Sequence, residues 1–294
     1  MKIKIGTRSS KLALWQAHWV SDQLKSHGAT TEILHIETKG DKILDRSLHK
    51  IGSKGLFTEE LENQLLDGTI DIAVHSAKDV QSSLIEGLSL IAFSEREQNH
   101  DVLISKKPIE INNLSKYVIG TSSTRRRAFL RHLYPDIQLV ESRGNLQTRI
   151  SKMENGEADA LVLAFAGVHR MEYDSMIVHH FDKKTFVPPV GQGCLAIEAS
   201  DSLDAALERL IRKAINHEET EICMKAERAF LARLSGGCSI PSFSVARKKD
   251  HLFFEIIAGL ISLDGKKKIE FQLDFVEEEA EKAGVIVAEK VLQN

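Results

Sequence analysis

Short apolar and alternating runs, each stopped by glycine or a polar cluster, follow one another along the first two thirds of the chain. Lys2 to Thr7 predicts a strand. Leu12, Trp15, Trp19 and Val20 keep roughly helical spacing after Ser9 and Ser10, both good N-cap residues. Glu32 to Thr38 alternates as a strand. From Lys39 to Gly55 the period vanishes, and Gly40, Gly52 and Gly55 stand among many charges. This predicts a mobile loop suited to covering a site. Phe57, Leu61 and Leu65 form the stripe of the next helix, and Gly68 stops it. Ile72 and Val74 then mark a short buried strand that opens onto His75, Ser76, Lys78 and Asp79.

The plan recurs. Ile5-Gly6-Thr7-Arg8-Ser9 returns as Ile119-Gly120-Thr121-Ser122-Ser123, again where a strand enters a helix. Asp67-Gly68-Thr69-Ile70-Asp71-Ile72-Ala73-Val74 returns as Asn155-Gly156-Glu157-Ala158-Asp159-Ala160-Leu161-Val162. Two matched pairs in the same order predict two α/β lobes built alike, with a cleft between them where ligands commonly bind. Val187-Pro-Pro-Val-Gly-Gln-Gly193 reads as a crossover, followed by a strand over Leu195 to Ala199 and a helix from Asp201. A helix with Ile222, Ala226 and Phe230 leads to the turn Leu234-Ser-Gly-Gly-Cys238-Ser-Ile-Pro241. Strands near Phe243–Ala246, Leu252–Leu260 and Lys268–Phe275 and a final helix over Glu277–Leu292 complete a small α+β domain. The expected division is 1–95 with 192–214, then 96–191, then 215–294.

Length supports more than one domain, since 294 residues exceed a single core. The longest apolar run, Ala160 to Val168, is too short to span a bilayer, and Met1-Lys2-Ile3-Lys4 shows no signal peptide. Three cysteines at irregular spacing (Cys194, Cys223, Cys238) make neither a disulfide framework nor a zinc site, which predicts a reducing, cytoplasmic setting. A net charge of −3 and 6% aromatic residues speak against a nucleic-acid binder. Locally the balance differs: Arg125, Arg126, Arg127, Arg131, Arg143, Arg149 and Arg170 crowd one central region.

Arginine presents a planar fork suited to carboxylates and phosphates. Thr121-Ser-Ser-Thr-Arg-Arg-Arg127 places such forks at a helix start, where free N–H groups and the dipole already attract anions. Positive charge there opposes the isolated helix, so a bound anion is the natural compensation; a solvated basic face is the plainer reading. Arg143 and Arg149 flank another helix start, and Arg8 before Ser9 and Ser10 occupies the equivalent place in the first lobe. Lys78 and Asp79 can be an ordinary solvated strand exit, or a site beyond a strand's carboxyl end. Cys238 sits in a flexible Gly-Gly turn that exposes a thiol, either unreactive or an attachment point, whereas Cys223 lies on an apolar helical face.

Seven segments decide among these readings. Arg8-x-Ser10-x-Leu-Ala-Leu-x-Gln16, Lys54-Gly-Leu-Phe57, His75-Ser-x-Lys-Asp79, Gly120-Thr-Ser-Ser-x-Arg-Arg126, Arg143-Gly-Asn-x-x-Thr-Arg149, Val190-Gly-Gln-Gly193 and Gly236-Gly-Cys238 resemble the porphobilinogen deaminase family, in family order over nearly the whole chain. The resemblance implies two lobes like those of type II periplasmic binding proteins plus a C-terminal domain. It implies a dipyrromethane cofactor joined covalently to the Cys238 sulfur by a thioether. Four porphobilinogen molecules would then condense head to tail with loss of ammonia, giving hydroxymethylbilane for haem biosynthesis. Every pyrrole carries an acetate and a propionate, so an arginine-lined site in a slightly acidic protein makes sense.

Carried over residue by residue, the resemblance implies that Asp79 acts at the pyrrole nitrogens and stabilises cationic intermediates. It implies that Arg8, Ser10, Arg125, Arg126, Arg143, Arg149 and Arg170 hold carboxylates, with Ser76, Lys78 and Ser123 assisting, and that Lys54 and Phe57 belong to the lid region. No metal, nucleic acid or membrane partner is implied, and the chain is expected to be a monomer. This sequence departs from the family at Gln81, usually proline, which predicts a looser loop after Asp79. It departs again at Gln98-Asn99-His100, usually Asp-Pro-Arg, and at Cys194, often alanine. A two-lobed anion receptor would share the arginines but not Asp79 together with Cys238.

Overall fold

The structure, a computed structural model, describes residues 1–38, 58–234 and 240–294. In chain order the first elements are β1 (Lys2–Thr7), α1 (Lys11–Ser26), β2 (Thr30–His35), α2 (Glu59–Leu66), β3 (Ile72–Ser76) and β4 (Leu88–Phe93). There follow β5 (Asp101–Ile104), β6 (Val118–Gly120), α3 (Thr124–Leu133), β7 (Gln138–Val140), α4 (Leu146–Glu154), β8 (Ala160–Ala164), α5 (Phe165–Arg170) and β9 (Ile177–His180). The last are β10 (Leu195–Ser200), α6 (Ala205–Ile215), α7 (Glu218–Arg233), β11 (Ser242–Lys248), β12 (Phe254–Ile261), β13 (Lys268–Phe275) and α8 (Ala280–Leu292). They form two compact units, residues 1–97 with 194–224 and residues 98–193 with 225–294.

The first unit is built on a five-stranded sheet ordered β2-β1-β3-β10-β4, with β10 antiparallel to both neighbours. Ile3, Ile5, Ile72, Val74 and Ile197 from the sheet close against Val20 and Leu24 of α1 and Ile211 of α6. Each such fully buried side chain contributes about 1.5–3 kcal/mol. The sheet of the second unit is ordered β7-β6-β8-β5-β9, with β5 antiparallel to β8 and β9. The two orders are one plan used twice, so the α/β class with two similarly built lobes holds.

The repeated segments explain why. Gly68 and Gly156 end α2 and α4 at φ +74° and +85°, left-handed values that glycine adopts without steric cost. Asp71 and Asp159, matched in the repeat, then anchor matched strands: Lys4 N–H donates to Asp71 Oδ2 at 2.7 Å and Val118 N–H to Asp159 Oδ2 at 2.8 Å. The register follows, with Gly6 opposite Ala73 and Gly120 opposite Leu161.

The second unit also holds the antiparallel sheet β11-β12-β13 with α8 packed against it, the small α+β domain read from the sequence. Phe243 and Ile261 of that sheet share one core cluster with Phe129 of α3 and with Phe186. The apolar run from Ala160 to Val168 is divided between a buried strand and a short helix. The helix expected from Asp201 starts later, because Asp204 caps it by accepting from Ala206 N and Leu207 N. Among the described residues no helix is long and apolar enough to cross a membrane.

Candidate active site

In the first unit, β1 and β3 run parallel side by side, so the segments after Thr7 and after Ser76 leave from one sheet edge. Ser10 caps α1, accepting from Ala13 N at 3.3 Å. Gln16, on the buried face of α1, donates to Ser76 Oγ at 2.7 Å. Ser76 leads into the single 3-10 turn Ala77–Asp79, whose Ala77 N–H donates to the Cys194 carbonyl at 3.0 Å. Arg8 and Lys78 are half-buried beside this turn's strands and Asp79 is exposed. Parallel pairing thus brings Arg8, Ser10, Ser76, Lys78 and Asp79 to one edge.

Beneath it lies a buried polar group. His75 Nε2 is 2.9 Å from Glu198 Oε2, with both side chains at most 5% exposed. Glu62, at 2% exposure, packs nearby from α2. Gln81 donates to Thr58 Oγ1 at 3.2 Å and to Glu62 Oε1 at 3.4 Å. The loop expected to be looser for want of a proline therefore has its own tethers. Burial pushes the Glu62 carboxyl up; the Thr58 hydrogen bond works against this, Glu198 adds to it, and His75 opposes it.

In the second unit, β7, β6 and β8 are parallel, and their carboxyl ends carry the central arginines. Ser123 caps α3, accepting from Arg126 N at 3.4 Å. The forks of Arg125 and Arg126 turn inward, at 4% and 7% exposure. Asp101 Oδ2 accepts from Arg125 Nη2 at 2.5 Å, and Oδ1 accepts from Arg126 Nε at 3.0 Å and Nη2 at 2.7 Å. Arg125 Nη1 and Arg126 Nη1 donate to the carbonyls of Val187 and Val162 at 2.8 and 3.1 Å. Gln192 joins through Nε2, at 3.2 Å from Asp101 Oδ1 and 2.7 Å from the Asn99 carbonyl.

A carboxylate of the chain itself thus meets the positive charge at this helix start. Burial alone would raise the Asp101 carboxyl, but the charges of Arg125 and Arg126 outweigh it and hold it at about 2. Around the same edge, Arg143 Nε donates to Glu141 Oε2 at 3.1 Å, Arg149 Nε to the Gly144 carbonyl at 2.8 Å, and Arg170 Nη2 to the Gly193 carbonyl at 2.9 Å. Lys54, Phe57 and Cys238 lie outside the described residues.

Comparison with known proteins places this arrangement. The family model "Porphobilinogen deaminase, dipyromethane cofactor binding domain" matches residues 3–208, and "Porphobilinogen deaminase, C-terminal domain" matches residues 221–293. The chain belongs to the porphobilinogen deaminase family. The porphobilinogen deaminase of Desulfosudis oleivorans is 56% identical over 92% of this chain and 87% of its own length. That of Cytophaga hutchinsonii is 53% identical over 99% and 94%. The solved periplasmic VFT2 domain of Bordetella pertussis BvgS is similar over 72% of this chain and 86% of that one, at 18% identity and a TM-score of 0.45, too distant a likeness to bear on function.

The first matched segment takes in Asp79 and every cationic and hydroxyl candidate from Arg8 to Arg170; the second takes in Cys238. The described residues suit a ligand bearing several carboxylates. Ser122 Oγ, Ser142 Oγ and Arg125 Nε are buried donors without a hydrogen-bond partner among the described residues, all at the edge that carries Arg143 and Arg149. Ser142 is 4% exposed, so its hydroxyl is costly to leave unmade. Among the described residues no cluster of three His, Cys, Asp or Glu could hold a metal ion.

Asp101 and Ser142 lie outside the segments singled out in the sequence, and Ser122 and Gln192 lie inside them without an individual role. One signal for Asp101 was available: a carboxylate opening the apolar run Val102-Leu103-Ile104 needs a partner if the strand is buried.

Proposed function

We propose that this chain is the transferase that joins four porphobilinogen molecules head to tail on a dipyrromethane held by the Cys238 sulfur, releasing ammonia and then hydroxymethylbilane for haem biosynthesis. The observation that carries it is an exposed carboxylate, Asp79, at a sheet edge otherwise set with donors for anions: Arg8, Ser10, Ser76 and Lys78. The substrate has the matching chemistry, a pyrrole N–H flanked by acetate and propionate.

The dipyrromethane, when bound, would supply the free pyrrole position to which the first unit is joined; each later unit joins the one before it, and water cleaves the completed chain of four from the cofactor. Asp79 faces the pyrrole N–H of the incoming substrate. As its C–N bond breaks and ammonia leaves, positive charge spreads onto the pyrrole nitrogen, and the fixed carboxylate stabilises that charge as it develops. Arg8, Ser10, Ser76, Lys78, Ser123, Arg143, Arg149 and Arg170 are the residues proposed to hold acetate and propionate groups, with Ser122 and Ser142 as further hydroxyl donors. Arg125 offers its remaining buried Nε, and Arg126 fixes Asp101 and through it the cluster. Lys54 and Phe57 are proposed to cover the site. We place the enzyme in the cytoplasm as a monomer, with Cys194 and Cys223 as buried thiols.

Intact mass and turnover test this together. The purified chain should carry a fixed mass excess equal to one dipyrromethane and should consume porphobilinogen. Asp79→Asn should keep the mass excess and the melting temperature while turning over at least roughly a hundredfold more slowly. Asp79→Glu, which keeps the charge but displaces it, should retain more activity than Asn. An Asp79→Asn enzyme of normal turnover would remove Asp79 from the chemistry.

A further inference from the structure

The turn that carries Asp79 has little to fix it from within. It is three residues long, closed by a Val80 N–H to Ala77 carbonyl contact of 3.4 Å, and Asp79 itself is exposed. Yet a catalytic carboxylate displaced by about 1 Å loses much of its effect. The Ala77 N–H bond to the Cys194 carbonyl at 3.0 Å anchors the start of the turn, and the residues on either side add to that constraint.

Those residues run into one buried cluster. Four positions before Asp79, His75 is held by Glu198 at 2.9 Å, and β10 pairs along β3 so that Ala196 lies opposite His75. Two positions after, Gln81 reaches Thr58 at 3.2 Å and Glu62 at 3.4 Å. Glu62 Oε2 and Glu198 Oε1 are both buried with no hydrogen-bond partner among the described residues. Two carboxyl groups held dry around one imidazole are costly to assemble for stability alone. Three separate elements, α2, β3 and β10, contribute to the cluster.

We infer that Gln81, Glu62, His75 and Glu198 form a clamp that positions the Asp79 carboxylate. Gln81 is its distinctive part. Val80 sits at φ −76° and ψ 138°, the extended region that a proline at position 81 would demand. Here that extended path is held by Gln81 side-chain hydrogen bonds to Thr58 and Glu62. These four are positioning residues: none is assigned a contact with substrate. The inference rests on the role proposed for Asp79.

The test compares Gln81→Leu, Glu62→Gln and Glu62→Leu with the parent chain. Turnover is counted per molecule carrying the mass excess, with KM, melting temperature and amide hydrogen exchange of the peptide spanning residues 76–82 in cofactor-free protein. Gln81→Leu should lower kcat roughly ten- to a hundredfold with KM within about twofold, because the substrate-holding groups are untouched. Its 76–82 amides should exchange at least roughly fivefold faster. Glu62→Gln, which keeps an acceptor for Gln81, should retain roughly half or more of the parent kcat, whereas Glu62→Leu should resemble Gln81→Leu. If Glu62→Leu does not fold, Gln81→Leu decides, since Gln81 is half-buried at the surface. Parent-like kcat and parent-like exchange in Gln81→Leu overturn the clamp. A parent chain with neither mass excess nor turnover would instead overturn the proposed function.

Discussion

Removing the Asp101 carboxylate should cost more stability than any other single change at the second unit's edge. Four donors converge on its two oxygens: Arg125 Nη2 on Oδ2, and Arg126 Nε, Arg126 Nη2 and Gln192 Nε2 on Oδ1. Asp101 is fully buried, and both arginines are below 10% exposure. Asp101→Ala therefore leaves two guanidinium groups dry and unpaired, a change worth about 3–5 kcal/mol. For a unit of this size that corresponds to a melting temperature roughly 10 °C lower. Asp101→Asn should fall between, because one amide oxygen can keep the Arg126 and Gln192 contacts while its NH2 faces the Arg125 donor.

Acid provides an independent arm. The Asp101 carboxyl is depressed from 3.8 to about 2 in the folded chain. Its contribution is complete above pH 3.8 and is lost as pH falls through about 2. The gap amounts to roughly 2 kcal/mol. This is less than deletion costs, because a protonated Asp101 still fills its space and still accepts hydrogen bonds. Thermal melts of parent, Asp101→Asn and Asp101→Ala at pH 7 and between pH 4 and 2 would measure both arms. An Asp101→Ala chain melting within about 2 °C of the parent at pH 7 would refute the reasoning, since two buried, uncompensated cations cannot be that cheap.

Cys238→Ala should lose both the mass excess and turnover, while Cys194→Ala and Cys223→Ala keep them; mass spectrometry of each variant checks this, and an adduct persisting without Cys238 would contradict it. Arg126→Lys removes the fork that makes three hydrogen bonds and should cost about 1–3 kcal/mol in urea unfolding, with reduced cofactor content. Arg127→Ala, which gives up a long 3.5 Å hydrogen bond to the Thr121 carbonyl, should stay within about 0.5 kcal/mol of the parent. Glu227, fully buried, accepts from Gly191 N at 2.8 Å and Ala246 N at 2.7 Å. Glu227→Leu should therefore lower the melting temperature by several degrees, about 2–4 °C for each kcal/mol lost, by stranding two backbone donors.

Much of this protein was written locally. The helix cap at Ser10, the stop at Gly68 and the strand runs of β11 to β13 depend on residues a few positions apart, so period and turn chemistry were enough to find them. The twofold plan was legible because the same side chains do the same backbone work in both lobes, and the motifs from Arg8 to Cys238 named the family. What the sequence could not determine is which charges meet. Asp101, the partner of Arg125 and Arg126, lies 24 and 25 residues away and reaches them only because β5 enters the sheet antiparallel beside β8. His75 meets Glu198 across 123 residues for the same reason, through the antiparallel β10. A strand inserted against the run of its neighbours brings its first residues to the edge where the others end. No periodicity along the chain records that; it is fixed only when the sheets close and every buried charge must find its counterpart.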